Sequence, residues 1–286
     1  MSRPAPAPAG VGVPSRLTRS GWYLLAPLLL FLSITYILPL LGIAGLSVTD
    51  PEPGFGNYSS ALSDPLVRSV FWRTLRICII VTVIAVAAAY VLTYIWVNGS
   101  RTASTLAELA ILIPFWISVL TRAFGWLALL SNRGILNTWA MDLGLIDAPL
   151  AMVRNEFGVV LGMVHFLIPF AVFPLASAMR GLDKRVLMAA RGMGATRFRT
   201  FWQIYLPMTL PGLAGAGLLT FVFALGFFVT PALLGGGRSV MMAELIYLRI
   251  FQIPDWGLAS ALSVLMMSAV SLMLWVLLRR LGAEVR

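Results

Sequence analysis

The sequence predicts an all-α, polytopic membrane protein with six transmembrane helices. Of its 286 residues, 59% are hydrophobic and only 11% are charged, and the mean hydropathy is +0.91. This apolar content exceeds what a soluble domain of the same length needs for its core. Five runs contain no Asp, Glu, Lys or Arg, and they cover residues 22–46, 77–97, 157–179, 208–234 and 257–278. Each run is long enough to cross a bilayer, because about 20 apolar residues span the ~30 Å hydrocarbon layer.

The elements follow from these runs in order. The expected spans are residues 22–46, 72–97, 107–130, 157–179, 208–234 and 257–278, within one membrane domain of residues 21–286. The third span contains Arg122 but is otherwise apolar, and without it the neighbouring loops would lie on the wrong sides. Residues 1–20 are rich in Pro, Ala and Gly and are expected to form a disordered tail. The first apolar run exceeds the ~7–15 residues of a signal-peptide core, so we expect it to be retained.

Basic residues indicate the orientation, because Lys and Arg are enriched in cytoplasmic loops. With the N-terminus inside, thirteen of the twenty-one basic residues share the cytoplasmic side, namely Arg3, Arg16, Arg19, Arg101, Arg180, Lys184, Arg185, Arg191, Arg197, Arg199, Arg279, Arg280 and Arg286. Both termini are therefore expected to be cytoplasmic. The net charge of +10 and the pI of 10.8 are explained by this topology, so no nucleic-acid partner is expected.

Residue types that support catalysis or metal binding are scarce. The one cysteine, Cys78, allows neither an intrachain disulfide nor a cysteine metal cluster. The one histidine, His165, lies inside the fourth span, where a polar group packed against other helices is the favoured interpretation. We therefore expect no catalytic residues, no metal site and no cofactor in this chain.

The cytoplasmic segment 180–207 separates the fourth and fifth spans and is too polar for lipid. Its pattern predicts two short helices. Apolar residues recur on one face of each, namely Leu182, Val186, Ala189 and Ala190 in the first helix and Phe198, Phe201, Trp202 and Tyr205 in the second. Gly192 and Gly194 provide a turn between them, and Pro207 marks the entry into the next span. One interpretation is an amphipathic hairpin on the membrane surface.

The same segment resembles the EAA loop of ABC importer permeases. That pattern has Glu-Ala-Ala, three residues, Gly, and a helix that closes at Leu-Pro. Here it reads Met188-Ala189-Ala190, Arg191-Gly192-Met193 and Gly194, and it closes at Leu206-Pro207. The resemblance implies a loop that docks on an ATP-binding subunit. The residues expected to couple the chain to that subunit are Asp183, Met188, Ala189, Ala190, Gly192, Gly194 and Ala195. Met188 replaces the glutamate of the pattern, so docking is expected to rely more on shape.

The resemblance covers most of the chain. It includes the segment from Pro114 to Asn137, Gly162-Met163, Pro169-Phe170 and FVTPALLGGG from Phe228. The sequence is most similar to the first permease of spermidine/putrescine-type importers, which implies the type I ABC importer transmembrane fold and a bacterial inner-membrane location. The implied cargo is a polyamine or a related cationic amino compound. Amino-acid derivatives, opines, phosphonates and thiamine remain alternatives.

The chain is expected to need partners. Its one lysine, Lys184, is followed by Arg185, so it has no Gly-Lys-Ser/Thr phosphate-binding loop. ATP and Mg²⁺ are therefore expected on a partner ATPase, and the resemblance implies two copies of it. The resemblance further implies a second homologous permease subunit and a periplasmic substrate-binding protein, beside the lipid bilayer itself.

Several residues are candidates for the cargo path. Arg122 lies 14 residues beyond Glu108, or ~21 Å along a continuous helix at about 1.5 Å per residue. A structural or gating role is favoured for it over direct contact with cationic cargo. Glu244 and Tyr247 are three residues apart and could pair a carboxylate with an aromatic ring for a cation. The aromatic partners expected from the third span are Trp116, Phe124 and Trp126.

Two other classes of function compete with the importer. A secondary transporter driven by an ion gradient would also have six spans, but it leaves the EAA-like loop unexplained. A membrane-bound enzyme is disfavoured because clusters of His, Cys and acidic residues are missing from the sequence. For Glu244, an external ion pair with Arg249 is the alternative to cargo contact.

Overall fold

The computed structural model describes residues 17–284, and all regular elements in this range are helical. The helices are α1 (Leu17–Leu32), α2 (Leu38–Thr49), α3 (Gly56–Ser63), α4 (Pro65–Asn98), α5 (Arg101–Trp116), α6 (Val119–Leu130), α7 (Ile135–Asp142), α8 (Glu156–Arg180), α9 (Lys184–Gly192), α10 (Arg197–Thr200), α11 (Leu206–Leu225), α12 (Val229–Leu234), α13 (Met242–Phe251) and α14 (Trp256–Glu284). Two π-helical turns, Ser33–Ile37 and Phe201–Tyr205, join α1 to α2 and α10 to α11.

Five helical segments are long and apolar enough to cross a membrane. They are Leu25–Thr49, Pro65–Asn98, Glu156–Arg180, Arg197–Leu225 and Trp256–Trp275. A sixth span is present if the bent pair Arg101–Trp116 and Val119–Asp142 crosses as one. The predicted tail over residues 1–20 lies mostly outside the described residues, and 17–20 form the start of α1.

The centre of the bundle is α8, with α4 and α11 packed along it. Its N-terminus is capped by Asn155, whose side-chain oxygen accepts a hydrogen bond from the Gly158 N–H at 3.0 Å. Where α11 crosses α8, a Cβ atom on Gly212 would collide with the Cβ of Ala178. The glycine therefore permits the close contact between these two spans.

The core consists of two main groups of buried side chains, one near each end of the bundle. Near the end that carries α9, Val86, Tyr90, Leu175, Tyr205 and Ala216 pack together. The opposite end is filled by a second group that includes Ile77, Cys78, Met163, Leu167, Leu234 and Met241. We call these the hairpin end and the opposite end of the bundle. Both groups involve α4, α8 and α11, so the three helices form one packed unit.

The first span packs differently from the others. In the most apolar 18-residue stretch of Leu25–Thr49 no residue is buried, whereas 56% of the residues in the corresponding stretch of α8 are buried. Within the described chain, α2 packs mainly on α14 and leaves most of its apolar side chains exposed. Such a surface is stable only against lipid or another protein.

The third span is not the continuous helix expected over residues 107–130. It is broken at Ile117 and Ser118, where α5 and α6 meet at an angle of 104°. Pro114 has no N–H to donate to the preceding turn, and α5 closes with the Ile117 N–H donating to the Pro114 carbonyl at 3.2 Å. Both residues after the helix are extended, with ψ near 133° and 142°. The distance from Glu108 to Arg122 therefore does not run along one helix axis.

The fifth span also differs from the expected 208–234. Its helix begins at Arg197, continues through the π turn and ends at Leu225. Gly226 ends α11, and residues 229–234 form the separate helix α12. The second short helix predicted in 180–207 is thus the first turns of the fifth span. Hydropathy alone cannot separate two consecutive apolar helices, which is why the sequence merged α11 and α12.

Candidate functional site

A short helical hairpin forms the surface at one end of the bundle. Its first helix, α9, is capped by Asp183, whose Oδ1 accepts a hydrogen bond from the Arg185 N–H at 2.9 Å. Its second helix begins after Thr196, whose hydroxyl oxygen accepts from the Arg199 N–H at 3.2 Å. Both helix starts are therefore defined locally, by residues of the hairpin itself.

The turn between these helices requires a glycine. Gly194 has φ +89°, a left-handed conformation that side-chain-bearing residues rarely adopt. The N–H of Gly194 donates to the Arg191 carbonyl at 3.0 Å, and the N–H of Ala195 donates to the Ala190 carbonyl at 3.1 Å. Gly192 lies inside the last turn of α9 and has ordinary helical geometry. Of the two glycines, Gly194 alone makes the turn.

The inward face of α9 differs from the predicted one. Leu187 and Ala190 point into the bundle, and Ala190 is 3% exposed. Val186 and Ala189, which the sequence placed on the buried face, are exposed. The inward residues are thus Leu187 and Ala190 in place of Val186 and Ala189. The buried face of α9 is therefore shifted by about one residue, or ~100° around the helix axis, from the expected one. Leu182, just before the helix, packs against the core as expected.

Large apolar side chains remain exposed on the hairpin. Met188 is 62% exposed and Met193 is 83% exposed, and on the second helix Phe198 and Trp202 are 74% and 52% exposed. The other two aromatic residues of that helix, Phe201 and Tyr205, stack on each other and pack inward against Tyr94. We call Met188, Met193, Phe198 and Trp202 the exposed apolar set. Such side chains at a hairpin surface are typical of a protein contact.

Arg122 is held inside the membrane domain by an aromatic ring rather than by an acid. Its guanidinium lies over the Phe166 ring of α8, 4.2 Å from the ring centroid. Its Nε and Nη1 atoms are buried and have no hydrogen-bond partner among the described residues. An unpartnered buried cation is costly, so this arrangement needs either a function or a ligand.

Trp126 lies one turn further along α6 and contacts the same helix. Its indole Nε1–H donates a hydrogen bond to His165 Nδ1 at 3.0 Å. This contact confirms the interpretation of His165 as a polar group that packs between helices. Trp116 and Phe124, in contrast, are 81% and 53% exposed. Neither makes a ring contact with Tyr247 within the part of the chain that the structure describes.

The sequence missed a cluster of phenylalanines around Arg122. Phe166 contacts Phe170 and Phe227, and Phe170 contacts Phe115 and Phe223, with ring centroids 4.8–5.7 Å apart. These residues come from α5, α8, α11 and the segment after α11. The signal in the sequence is the spacing of four residues in Phe166/Phe170, which puts that pair on one face of α8.

Glu244 is a buried carboxyl group in the first turn of α13. It is 6% exposed, and its Oε2 has no hydrogen-bond partner among residues 17–284. Burial raises the pKa of Glu244, and a hydrogen bond from the Met241 backbone N–H acts in the opposite direction. The alternative ion pair with Arg249 is not formed: the ion pairs in the described chain join Glu156 to Arg73 and Arg76.

Tyr247 lies one turn after Glu244 and is half-exposed. Its ring contacts Phe228 at 4.6 Å and Phe251 at 4.8 Å between centroids. Because positions three apart share a helix face, the carboxyl group and this aromatic group lie side by side. Tyr247 thus packs on Phe228 and shares a face of α13 with Glu244, and its ring meets none of the expected aromatic residues of the third span among the described residues.

Groups that bind metal ions are not clustered in the part of the chain that the structure describes. No group of three or more His, Cys, Asp or Glu side chains with metal-binding geometry occurs among the described residues. Arg122 and Glu244 are the ionisable residues with buried side-chain atoms that lack a hydrogen-bond partner among residues 17–284.

Comparison with known proteins identifies relatives over most of the chain. The family "Binding-protein-dependent transport system inner membrane component" matches residues 10–286. The spermidine/putrescine transport system permease protein PotB of Haemophilus influenzae is 33% identical over 223 residues, which is 78% of this chain and 78% of that protein. The osmoprotective compounds uptake permease protein GgtC of Synechocystis is 26% identical and covers 90% of this chain and 97% of that protein.

A solved structure shows the same fold. The chain matches a subunit of the bacterial alginate ABC transporter, in complex with alginate pentasaccharide-bound periplasmic protein, with a TM-score of 0.82. The match covers 93% of this chain and 96% of that chain at 16% identity. This likeness confirms the expected all-α transmembrane fold of type I ABC importers.

Proposed function

Since the chain belongs to the family of binding-protein-dependent transport system inner membrane components, we propose that it is one of two permease subunits of an ATP-driven importer. In this proposal the two permeases form the transport path, a periplasmic binding protein delivers the solute, and two copies of an ATPase bind ATP and Mg²⁺. The chain itself is not catalytic. Both termini and the hairpin face the cytoplasm, in agreement with the distribution of Lys and Arg.

The observation that carries this proposal is the hairpin with its exposed apolar set. A turn that requires Gly194 holds two locally capped helices, and the inner side chains of both helices are anchored in the core. Force on the hairpin is therefore transmitted to the bundle, because α10 continues directly into the fifth span. This is the geometry that an ATPase needs in order to move transmembrane helices.

The proposed coupling residues have distinct roles. Asp183 and Gly194 define the two ends of α9, while Ala190 packs against the core. Met188 and Ala189 face outward and are available to a partner. Gly192 closes α9 with helical geometry and Ala195 follows the turn, and a small residue is sufficient at both positions.

The cargo proposed is a polyamine or a related cationic amino compound. The 33% identity to PotB supports this class. Glu244 supports it as well, because its buried Oε2 has no partner in the described chain and it shares a helix face with Tyr247, whose ring contacts Phe228. Carboxylate and aromatic groups together replace the hydration shell of an ammonium ion. The relative named for osmoprotective compounds favours the alternative that the same mechanism imports another small solute.

Reconstituted transport tests this function. The chain, its second permease and the ATPase are incorporated into liposomes with ATP on the hairpin side, and uptake of labelled putrescine is measured with the binding protein present. We expect uptake that requires ATP hydrolysis and that survives ionophores which collapse ion gradients. Uptake that follows an imposed ion gradient without ATP would contradict the proposal and favour a secondary transporter.

A further inference from the structure

A polar cavity lies behind the hairpin, between α9 and the rest of the bundle. Its volume is about 570 Å³, and its lining includes Tyr94, Asn98, Lys184, Arg191, Arg197 and Tyr205. Three elements contribute: the end of α4, the face of α9 that carries Lys184, Leu187, Met188 and Arg191, and the α10 helix with the π turn that follows it. The cavity is large enough for a phosphate group with part of an attached molecule.

The charges that line this cavity are all positive. Lys184, Arg191 and Arg197 face it from α9 and α10, and the lining contains no Asp or Glu. The nearest carboxylate in sequence, Asp183, is used to cap α9 and does not line the cavity. None of the three cations forms an ion pair in the described part of the chain. Three like charges converge on one cavity, and an anion within it would relieve their repulsion.

Hydroxyl donors accompany these charges. Asn98 donates from its amide to the Tyr205 hydroxyl at 2.8 Å, which leaves the hydroxyl hydrogen of Tyr205 free for an acceptor. The Tyr94 ring packs edge-on to Tyr205 at 5.3 Å and forms part of the same wall. Arginine guanidinium groups with hydroxyl donors are a donor set that suits phosphate oxygens.

We propose that this cavity binds a phosphate group, from either an anionic phospholipid or a soluble phosphate compound. The phosphate bridges Arg191 of α9 to Arg197 of α10, so its binding stiffens the hairpin. The cavity meets the exposed apolar set at Met188, which also belongs to its lining, while Met193, Phe198 and Trp202 do not line it. Phosphate binding is measured on this chain alone, so it is tested apart from the ATPase contact proposed above.

The measurement is the thermal unfolding of the full chain in lipid nanodiscs. Cys78 is the one cysteine of the chain and is 0% exposed, so a thiol-reactive fluorophore reports its exposure on unfolding. One arm adds inorganic phosphate to nanodiscs of phosphatidylcholine, and the other uses nanodiscs that contain phosphatidylglycerol in phosphate-free buffer. We expect the apparent Tm to rise by several degrees in one of the arms or in both. The arm that responds identifies the source of the phosphate.

Charge-matched variants distinguish a specific phosphate site from a general attraction of the positively charged hairpin for anions. The Arg191→Gln/Arg197→Gln double variant removes two lining cations and is expected to lose the rise in Tm. The Arg185→Gln/Arg199→Gln double variant removes two cations of the same hairpin that do not line the cavity, and it is expected to keep the rise. If the first double variant does not fold, single Arg191→Gln and Arg197→Gln variants are used, and each is expected to lose at least half of the rise.

Three results would overturn the site. One is an unchanged Tm of the native chain in both arms, and another is an equal response of the lining and control variants. In the third, the lining variant alone loses ATPase co-purification, and the Tm of the native chain responds to neither phosphate source. This result would assign the cavity to an acidic segment of the ATPase. Because none of the unfolding measurements needs transport, the proposed importer function is tested separately.

Discussion

The side-chain amide of Asn98 donates a hydrogen bond to the hydroxyl of Tyr205 at 2.8 Å, and this bond joins the last turn of α4 to the base of the hairpin. Asn98 is the final residue of α4, and Tyr205 is the last residue of the π turn. The second and fifth spans are therefore linked where hairpin movement enters the bundle. A second bond, between the Tyr90 and Thr209 hydroxyls at 2.9 Å, lies further inside the same pair of helices.

Removal of the Tyr205 hydroxyl should weaken the link between α4 and the hairpin without opening a cavity. Tyr205→Phe is expected to lower stability by about 1 kcal/mol, the usual net value of one hydrogen bond. The Tm in detergent measures this loss, and the transport per ATP hydrolysed measures coupling, which should fall. Tyr36→Phe is the matched control because Tyr36 is 65% exposed. Equal Tm values for the two variants would show that the bond does not contribute.

The two glycines of the hairpin should respond differently to alanine. Gly194→Ala forces a Cβ atom into a left-handed conformation at a cost of about 1–3 kcal/mol, so we expect a distorted turn, weak ATPase co-purification and little transport. Gly192→Ala is the control, because this position is helical and a Cβ there meets no atom within 4 Å. It should keep activity. Normal assembly and transport by Gly194→Ala would mean that the hairpin is not the coupling element.

Arg122 should be needed for transport rather than for assembly. Arg122→Ala removes the cation over the Phe166 ring. We expect the uptake rate to fall at least tenfold, which corresponds to about 1.4 kcal/mol of activation free energy, while the ATPase still co-purifies. Arg133→Ala, at an exposed position between α6 and α7, is the control. An Arg122→Ala complex that assembles and transports normally would rule out both a gating role and cargo contact.

Glu244→Gln should reduce the uptake of a cation at saturating binding protein. Since the carboxylate form binds the cation and burial raises the pKa of Glu244, native uptake should increase as pH rises through this raised pKa. The Gln variant should lack this dependence. Unchanged uptake by the variant would exclude Glu244 from the cargo path.

The ionisation of Glu244 that should increase uptake should also lower the stability of the folded chain. The folded chain retains the proton of Glu244 to a higher pH than the unfolded chain, so native stability falls as pH rises from the unfolded pKa to the folded pKa. Above this window, Glu244→Gln should therefore unfold at a higher temperature than the native chain. A lower Tm for the variant at neutral pH would show that the buried carboxylate has a partner outside this chain.

The contact with the ATPase should be largely apolar. Met188 occupies the position of an acidic residue in the loop pattern and is 62% exposed, so we expect Met188→Ala to weaken ATPase co-purification. High salt should have little effect on the native complex, because apolar contacts are not screened. Met267→Ala is the control, since Met267 is 47% exposed on α14, away from the hairpin. Dissociation of the native complex by salt would contradict this prediction.

The sequence by itself determined the class of fold and the location of the hairpin. A transmembrane span is predicted from the summed hydropathy of about 20 consecutive residues, and this sum does not depend on which helices pack nearby. The turn over Gly192 and Gly194 and the Leu206-Pro207 end of the hairpin are equally local features. For this reason the family and the coupling segment were predicted before any contact was known.

Only the tertiary structure decided how these helices bend and which side chains meet. The break at Ile117 and Ser118, the inward rotation of Leu187 and Ala190, and the Arg122–Phe166 contact depend on packing between distant segments. In a chain that is apolar on nearly all faces, hydropathy does not distinguish the protein-facing side from the lipid-facing side. Close packing between helices makes that choice, because a side chain finds its partners only once the helices are assembled.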